Sequence, residues 1–162
     1  MTHCYLGLGS NLNSPRRQLH LALRALKTLP KTYILKTSPF YQTTPLGVVG
    51  QPMYCNAVVL LETYLTPEQI LSYAQAIETH QKRVRKKRWG SRTLDIDVLL
   101  YGTHSSTIPS LIIPHPRLHE RAFMLIPLLD IWPDATLPDG TSLKTCLQNL
   151  NTQQLRDVAL SH

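Results

Sequence analysis

Nowhere in the 162 residues do apolar positions run together for the length of about eighteen that a membrane-crossing helix needs. The opening Met1 to Gly7 also lacks a basic stretch followed by an apolar one, so the protein is expected to be cytoplasmic and not exported. Cysteine is scarce: Cys4, Cys55 and Cys146 are odd in number, far apart and outside any C-x-x-C pair, which argues against a disulfide framework or a zinc site and predicts reduced thiols. No glycine-rich loop ending in Gly-Lys-Ser or Gly-Lys-Thr occurs, and Gly7-Leu-Gly-Ser-Asn-Leu12 lacks the third glycine of a dinucleotide fingerprint. A nucleotide, if one binds, must be held by other means. Internal repeats, low-complexity runs and interdomain linkers are also missing, and 43% hydrophobic content suffices for one substantial core, so residues 1–162 are read as one domain.

Acidic residues are absent from one segment in particular. Of seventeen Lys and Arg residues, seven lie between Lys82 and Arg92, where no Asp or Glu occurs, so the other ten balance the ten acidic groups. The formal charge of +7 is therefore local, and a local cationic segment faces a polyanion, either a nucleotide or a nucleic acid.

The order of elements follows from periodicity. Cys4 to Leu8 reads as a strand, and a helix follows with Ser14 as N-cap, Pro15 at its first position and Leu19, Ala22, Leu23, Leu26 and Leu29 on one face. Tyr33 to Ser38 and Ala57 to Leu61 read as strands joined by a long loop through Pro45 and Pro52. Thr66-Pro-Glu-Gln69 is a capping box, opening a second helix on Ile70, Leu71, Ala74 and Ile77. Thr93 to Tyr101 is the clearest strand, Leu111 to Ile113 a short one, and a helix from about Arg117 to Leu129 is expected to weaken at Pro127. Pro138-Asp-Gly140 is a turn, and Leu143, Leu147 and Leu150 predict one more short helix. The order βαββαβ predicts an α+β, ferredoxin-like antiparallel sheet with helices packed on one face, extended by a C-terminal strand and helices.

Asp95 and Asp97 are two residues apart on the clearest strand, so both carboxylates emerge on one face while Leu94, Ile96, Val98 and Leu100 emerge on the other. Two adjacent like charges on a strand fit for burial call for neutralisation, and oxygen-only ligands suit Mg²⁺. With the cationic segment beside them, they point to Mg-ATP, with guanidinium groups on the transferring phosphoryl oxygens and a loop near Gly90 able to close. The competing readings are two solvated aspartates beside a solvated charge run, or a nucleic-acid patch with Trp89 as a stacking platform. Adjacent aspartates gain nothing against a nucleic-acid backbone, and the aromatic-rich strand of an RNA-binding module is missing.

The segment Arg88-Trp-Gly-Ser-Arg-Thr-Leu-Asp-Ile-Asp-Val-Leu99 resembles the motif of the hydroxymethyldihydropterin pyrophosphokinases. The likeness extends to Leu8-Gly-Ser-Asn-Leu12, Phe40 to Gly47, Gln51 to Asn56, Arg83-Val-Arg85, Pro114 to Arg117 and Arg121 to Met124. It implies a ferredoxin-like fold and Mg-dependent transfer of pyrophosphate from ATP to 6-hydroxymethyl-7,8-dihydropterin, releasing AMP, in folate biosynthesis. It implies two Mg²⁺ ions on Asp95 and Asp97, and Arg83 and Arg92 acting on the transferred phosphates. The pterin would be sandwiched by Tyr54 and Phe123, hydrogen-bonded by Asn56 and flanked by Thr43, Thr44, Pro45 and Leu46. ATP would meet Gln75, Arg85, Arg88, Trp89, Val98, His115 and Arg121. Two small-molecule substrates, no nucleic acid, no membrane and a monomer are expected. The chain departs from the family pattern at Thr44, Ser110 and Ile112.

Overall fold

The computed structural model describes residues 1–44, 53–82 and 93–161. Its centre is an antiparallel pair, β1 (Thr2–Ser10) against β4 (Tyr54–Thr63), with β5 (Asp95–Tyr101) on the other side of β1. Beyond β4 lie β2 (Thr32–Thr37) and β3 (Tyr41–Thr43), and β8 (Val158–Leu160) pairs with β3, completing a six-stranded sheet. A separate hairpin joins β6 (Ser106–Ile108) to β7 (Leu111–Ile113). The expected antiparallel sheet with helices is thus present. The three-residue strands β3 and β6 escaped the sequence reading.

Every residue from Cys55 to Leu61 is buried, so β4 must be covered on both faces. On one face Leu6, Leu8, Val59, Leu61, Ile96 and Val98 pack under α1 (Pro15–Leu26) and α2 (Pro67–Lys82), through Leu19, Ala22, Ile70 and Ala74. On the other, Tyr5, Val58, Leu60, Leu99 and Leu100 pack under α3 (Ala122–Ile131) and α4 (Leu143–Gln148). The expectation of helices on one face is corrected by this second layer. The continuous apolar run of β4 has two faces to hide, and the first two helices cover only one.

Local chemistry explains where the helices start. Thr66 N–H donates to Gln69 Oε1 at 2.9 Å and Gln69 N–H to Thr66 Oγ1 at 3.2 Å, closing the capping box ahead of Pro67. Pro15 opens α1 as expected, but Ser14 makes no side-chain cap. Asn13 and Ser14 both adopt positive φ to turn the chain out of β1, and Gln18 Nε2 donates to Asn13 O at 2.8 Å at this entry. Pro127 sits inside α3 and does not end it. Burial of Leu125, Leu128 and Ile131 offsets the backbone bond that proline removes. A short α5 (Thr152–Arg156) leads into β8.

The β5 register departs from simple alternation. Leu6 pairs with Val98 and Tyr5 with Leu100, leaving Leu99 as the extra residue of a bulge. Leu94, Ile96 and Val98 therefore face α1 and α2, whereas Leu100 turns to the α3 layer with Leu99, against the alternation expected from sequence. All three cysteines are free thiols, and burial pushes Cys4 up to about 12. Among the described residues, no helix is long and apolar enough to cross a membrane.

Truncation at the centre of the sheet, Leu61→Ala, is expected to cost about 2–5 kcal/mol, because the side chain is wholly buried. Thr66→Ala, which removes one half of the capping box, is expected to cost about 1 kcal/mol. Urea unfolding checks both; a Thr66→Ala loss as large as that of Leu61→Ala would contradict the packing hierarchy.

Candidate active site

The α3 layer does not cover the whole sheet. Between β5, β1, β4 and β3 it leaves a cleft of about 570 Å³. Its floor is set by register: Asp95 pairs with Gly9 and Asp97 with Gly7, while on the far side of β1 Gly9 pairs with Asn56. Strand alternation places these residues on one face. The glycines leave room above β1, and a Cβ on Gly9 would stand 2.9 Å from Asn56 Nδ2. Asn56 is buried, and its Oδ1 accepts a hydrogen bond from Thr43 Oγ1 at 2.8 Å. That bond fixes the amide at the floor of the cleft.

The walls come from both ends of the chain. Tyr54 and Thr44 line one side, Phe123 and Met124 from the first turn of α3 another, and Gln154, Asp157 and Val158 a third. The Arg121 guanidinium carbon lies 5.7 Å from the Phe123 ring centroid. At this distance the cation attracts the negative face of the ring.

Asp95 and Asp97 are half-buried at the other end of the same cleft. The residue between them is tied from the open edge of the sheet, where Ile96 N–H donates to Glu78 Oε2 at 2.8 Å. Glu78 thereby holds the β5 backbone while the two carboxylates point to the opposite face from Ile96. Two carboxylates with bare glycines alongside fit a hard divalent cation, which takes one or two carboxylates and completes its shell with water and phosphate oxygens. Among the described residues there is no cluster of three or more His, Cys, Asp or Glu side chains to enclose a cation fully. Two carboxylate oxygen donors suit Mg²⁺ better than zinc.

His115 sits outside the cleft wall but is tied to β5, its N–H donating to Leu99 O at 2.9 Å. Its Nδ1 accepts from Arg117 N–H at 3.1 Å. Burial, then the positive charges of Arg121 and Arg117, holds its pKa below the usual 6.5. The ring is thus favoured neutral, with the proton on Nε2.

The structure brings Thr43, Thr44, Tyr54, Asn56, Asp95, Asp97, Arg121 and Phe123 together around one cavity. Gln75 is exposed on α2, the Val98 side chain is buried under α1 and α2, and neither lines the cleft. Pro45, Leu46, Arg83, Arg85, Arg88, Trp89 and Arg92 lie outside the described residues. Ser110 and Ile112, two of the departures noted above, are exposed at the β6–β7 hairpin. The sequence reading missed Gly7 and Gly9 as the cleft floor, although two glycines at i, i+2 on a strand signal a bare face. It also missed Gln154, Asp157 and Val158, for which no local pattern exists.

Comparison with known proteins accords with this geometry. Residues 5–133 match the family model of 7,8-dihydro-6-hydroxymethylpterin-pyrophosphokinase (HPPK). The chain is 48% identical to the Haemophilus influenzae 2-amino-4-hydroxy-6-hydroxymethyldihydropteridine pyrophosphokinase, covering 86% of this chain and 88% of the relative. It is likewise 48% identical to the Pseudomonas aeruginosa protein of the same name, covering 88% of each. Among solved structures, wild-type Plasmodium falciparum HPPK-DHPS shares the fold, with a TM-score of 0.70 over 91% of this chain at 14% identity. This chain spans 44% of that longer one. With a family model over most of its length and two relatives at nearly half identity, the chain belongs to the 7,8-dihydro-6-hydroxymethylpterin-pyrophosphokinase family, a family of diphosphotransferases.

Proposed function

We propose that this chain, acting in the cytoplasm as a single-domain monomer, transfers pyrophosphate from ATP to 6-hydroxymethyl-7,8-dihydropterin and releases AMP. The observation that carries the reading is one cleft with an aromatic, amide-edged slot at one end and two aspartates at the other. A flat heteroaromatic ring needs aromatic faces, which Tyr54 and Phe123 offer, and a donor–acceptor edge, which Asn56 offers with Thr43, Thr44, Pro45 and Leu46 beside it. The ring's hydroxymethyl group then points toward Asp95 and Asp97. The strand order β5-β1-β4 with β2 beyond, and α1 and α2 on one face, supports the ferredoxin-like reading of the fold.

Two Mg²⁺ ions held by Asp95 and Asp97 would supply the positive charge that both the carboxylates and the phosphate oxygens require. In the transfer, the hydroxymethyl oxygen forms a bond to the β-phosphorus and gives up its proton to solvent, the bond from that phosphorus to the α,β-bridging oxygen breaks, and AMP leaves with that oxygen. Arg83 and Arg92 bear on the transferred oxygens, where guanidinium forks offset developing charge. Gln75, Arg85, Arg88, Trp89, Val98, His115 and Arg121 hold ATP. Val98 would do so with backbone groups, which strand alternation directs to the same open edge as Ile96 N–H. His115, neutral with its proton on Nε2, would donate a hydrogen bond and add no charge.

The decisive assay is AMP formation from ATP and Mg²⁺ with and without the pterin. Pterin-dependent AMP is expected, and ADP or no product would overturn the reading. Asp97→Ala is expected to lower turnover at least about a hundredfold while leaving the urea midpoint in place; unchanged turnover would remove the metal assignment.

Gly9→Ala pushes a methyl group against Asn56, so the KM for the pterin should rise about tenfold with little change in that for ATP. Equal rises in the two KM values would contradict the placement of Asn56 in the pterin slot.

A histidine with a lowered folded pKa leaves the unfolded state to bind the proton first. Stability should therefore fall as pH drops through about 6.5, until the folded ring is protonated too. Urea unfolding of the wild type and His115→Gln at pH 7.5 and 5.5 should show a smaller acid loss in the variant; equal losses would refute this role for the ring.

A further inference from the structure

Residues 151–161 lie beyond the part of the chain that the family model matches, which ends at residue 133. They nevertheless contribute a wall of the cleft through Gln154, Asp157 and Val158. On one side this segment is fastened to the strand that carries Thr43: Thr43 pairs with Val158, Thr44 N–H donates to Asp157 O at 3.0 Å, and Ser161 N–H donates to Phe40 O at 2.8 Å. On the other side it reaches α3, where Ala122 N–H donates to Gln154 Oε1 at 2.5 Å. Ala122 is the first residue of α3 and Phe123 is the second.

The opening turn of a helix has backbone donors without intrahelical partners, and they must be met by side chains or water. Ala122 is wholly buried, and Arg121, at the N-cap position, makes no side-chain cap. Gln154, thirty-two residues away, meets that donor instead. The far end of α3 is fixed separately, since the Tyr41 hydroxyl donates to the Asp130 carboxylate. With that end anchored to β3, the bond to Gln154 is one of the ties on the start of the helix, which carries the Phe123 ring. Asp157 plays a different part, its Oδ1 accepting from Gln153 Nε2 at 3.0 Å while its carbonyl serves Thr44.

We propose that Gln154 is a positioning residue for pterin recognition, bracing the C-terminal segment against the start of α3 so that the Phe123 side of the slot is held at the width of one flat ring. This rests on the pterin reading given above. An aromatic slot grips a planar ligand at van der Waals distance on both faces, so a small shift of one wall loosens it. Of the residues assigned to ATP, Arg121 alone adjoins Ala122, so ATP depends on the brace less than the pterin does.

The test uses full-length protein and two variants, Gln154→Ala and Gln154→Glu, the second keeping an oxygen acceptor at the same position. Gln154→Ala is expected to raise the KM for the pterin about tenfold and that for ATP by less than about twofold, with Gln154→Glu restoring most of the loss. Amide hydrogen exchange at Ala122 should quicken in Gln154→Ala and slow again in Gln154→Glu. An unchanged pterin KM in Gln154→Ala, an equal rise for both substrates, or an Ala122 amide indifferent to the substitution would overturn the brace. These results differ from failure of the underlying reading, in which the wild type itself makes no pterin-dependent AMP and the pterin role of Gln154 falls with it.

Discussion

The antiparallel register of β5 on β1 sets Asp95 against Gly9 and Asp97 against Gly7, and the cleft depends on it. A slip of one residue would turn both carboxylates into the apolar layer under α1 and α2 and bring Ile96 and Val98 to the open face. Several features hold the register. Leu6, Leu8, Ile96 and Val98 are buried on the helix-covered face, Ile96 N–H is tied to Glu78, and the bulge at Leu99 ends the alternation just past the site. Past the bulge, Leu99 and Leu100 join the α3 layer, so the same strand is polar over the cleft and apolar beyond it.

Covering the second face with α3 and α4 is what makes an enclosed site possible. A sheet with helices on one side alone would present Asp95, Asp97 and Asn56 to open water. With α3 in place, Phe123 and Met124 overhang the floor, and a half-buried carboxylate pair in reduced dielectric gains more from a bound cation than a solvated pair would. The charge layout suits this: outside the cationic segment acid and base balance, and within it seven basic residues gather. A nucleic-acid surface would account for the cations alone, whereas the proposed substrate pair also accounts for Tyr54, Asn56, Phe123 and two aspartates lining one cavity.

Much of this was legible in the sequence, and the reasons differ by element. β1, β4, β5, α1 and α2 were read because their apolar spacing is long enough to define a period, and the capping box at Thr66 and Gln69 because it is a local exchange of two hydrogen bonds. β3 and β6 have three residues each and, unlike the equally short Leu-Ile-Ile of β7, no apolar run to mark them. The second helical layer could have been inferred from β4, whose Ala57 to Leu61 is apolar at every position and so needs cover on both faces. Ser14 and Pro127 misled because propensity describes what a residue prefers, while a turn out of β1 and burial of Leu128 and Ile131 decided what it does. The aspartates were found because strand geometry joins i and i+2. Gln154 could not be found that way, since its partner at Ala122 is set by tertiary packing.

Whether two ligands share one cleft in a fixed order is tested most directly by a crystal structure with the pterin, Mg²⁺ and a non-transferable ATP analogue. The ring is expected between Tyr54 and Phe123 with its polar edge on Asn56, and the triphosphate reaching a cation on Asp95 and Asp97. A pterin bound away from Asn56, or phosphates bound with no cation on the two aspartates, would contradict it.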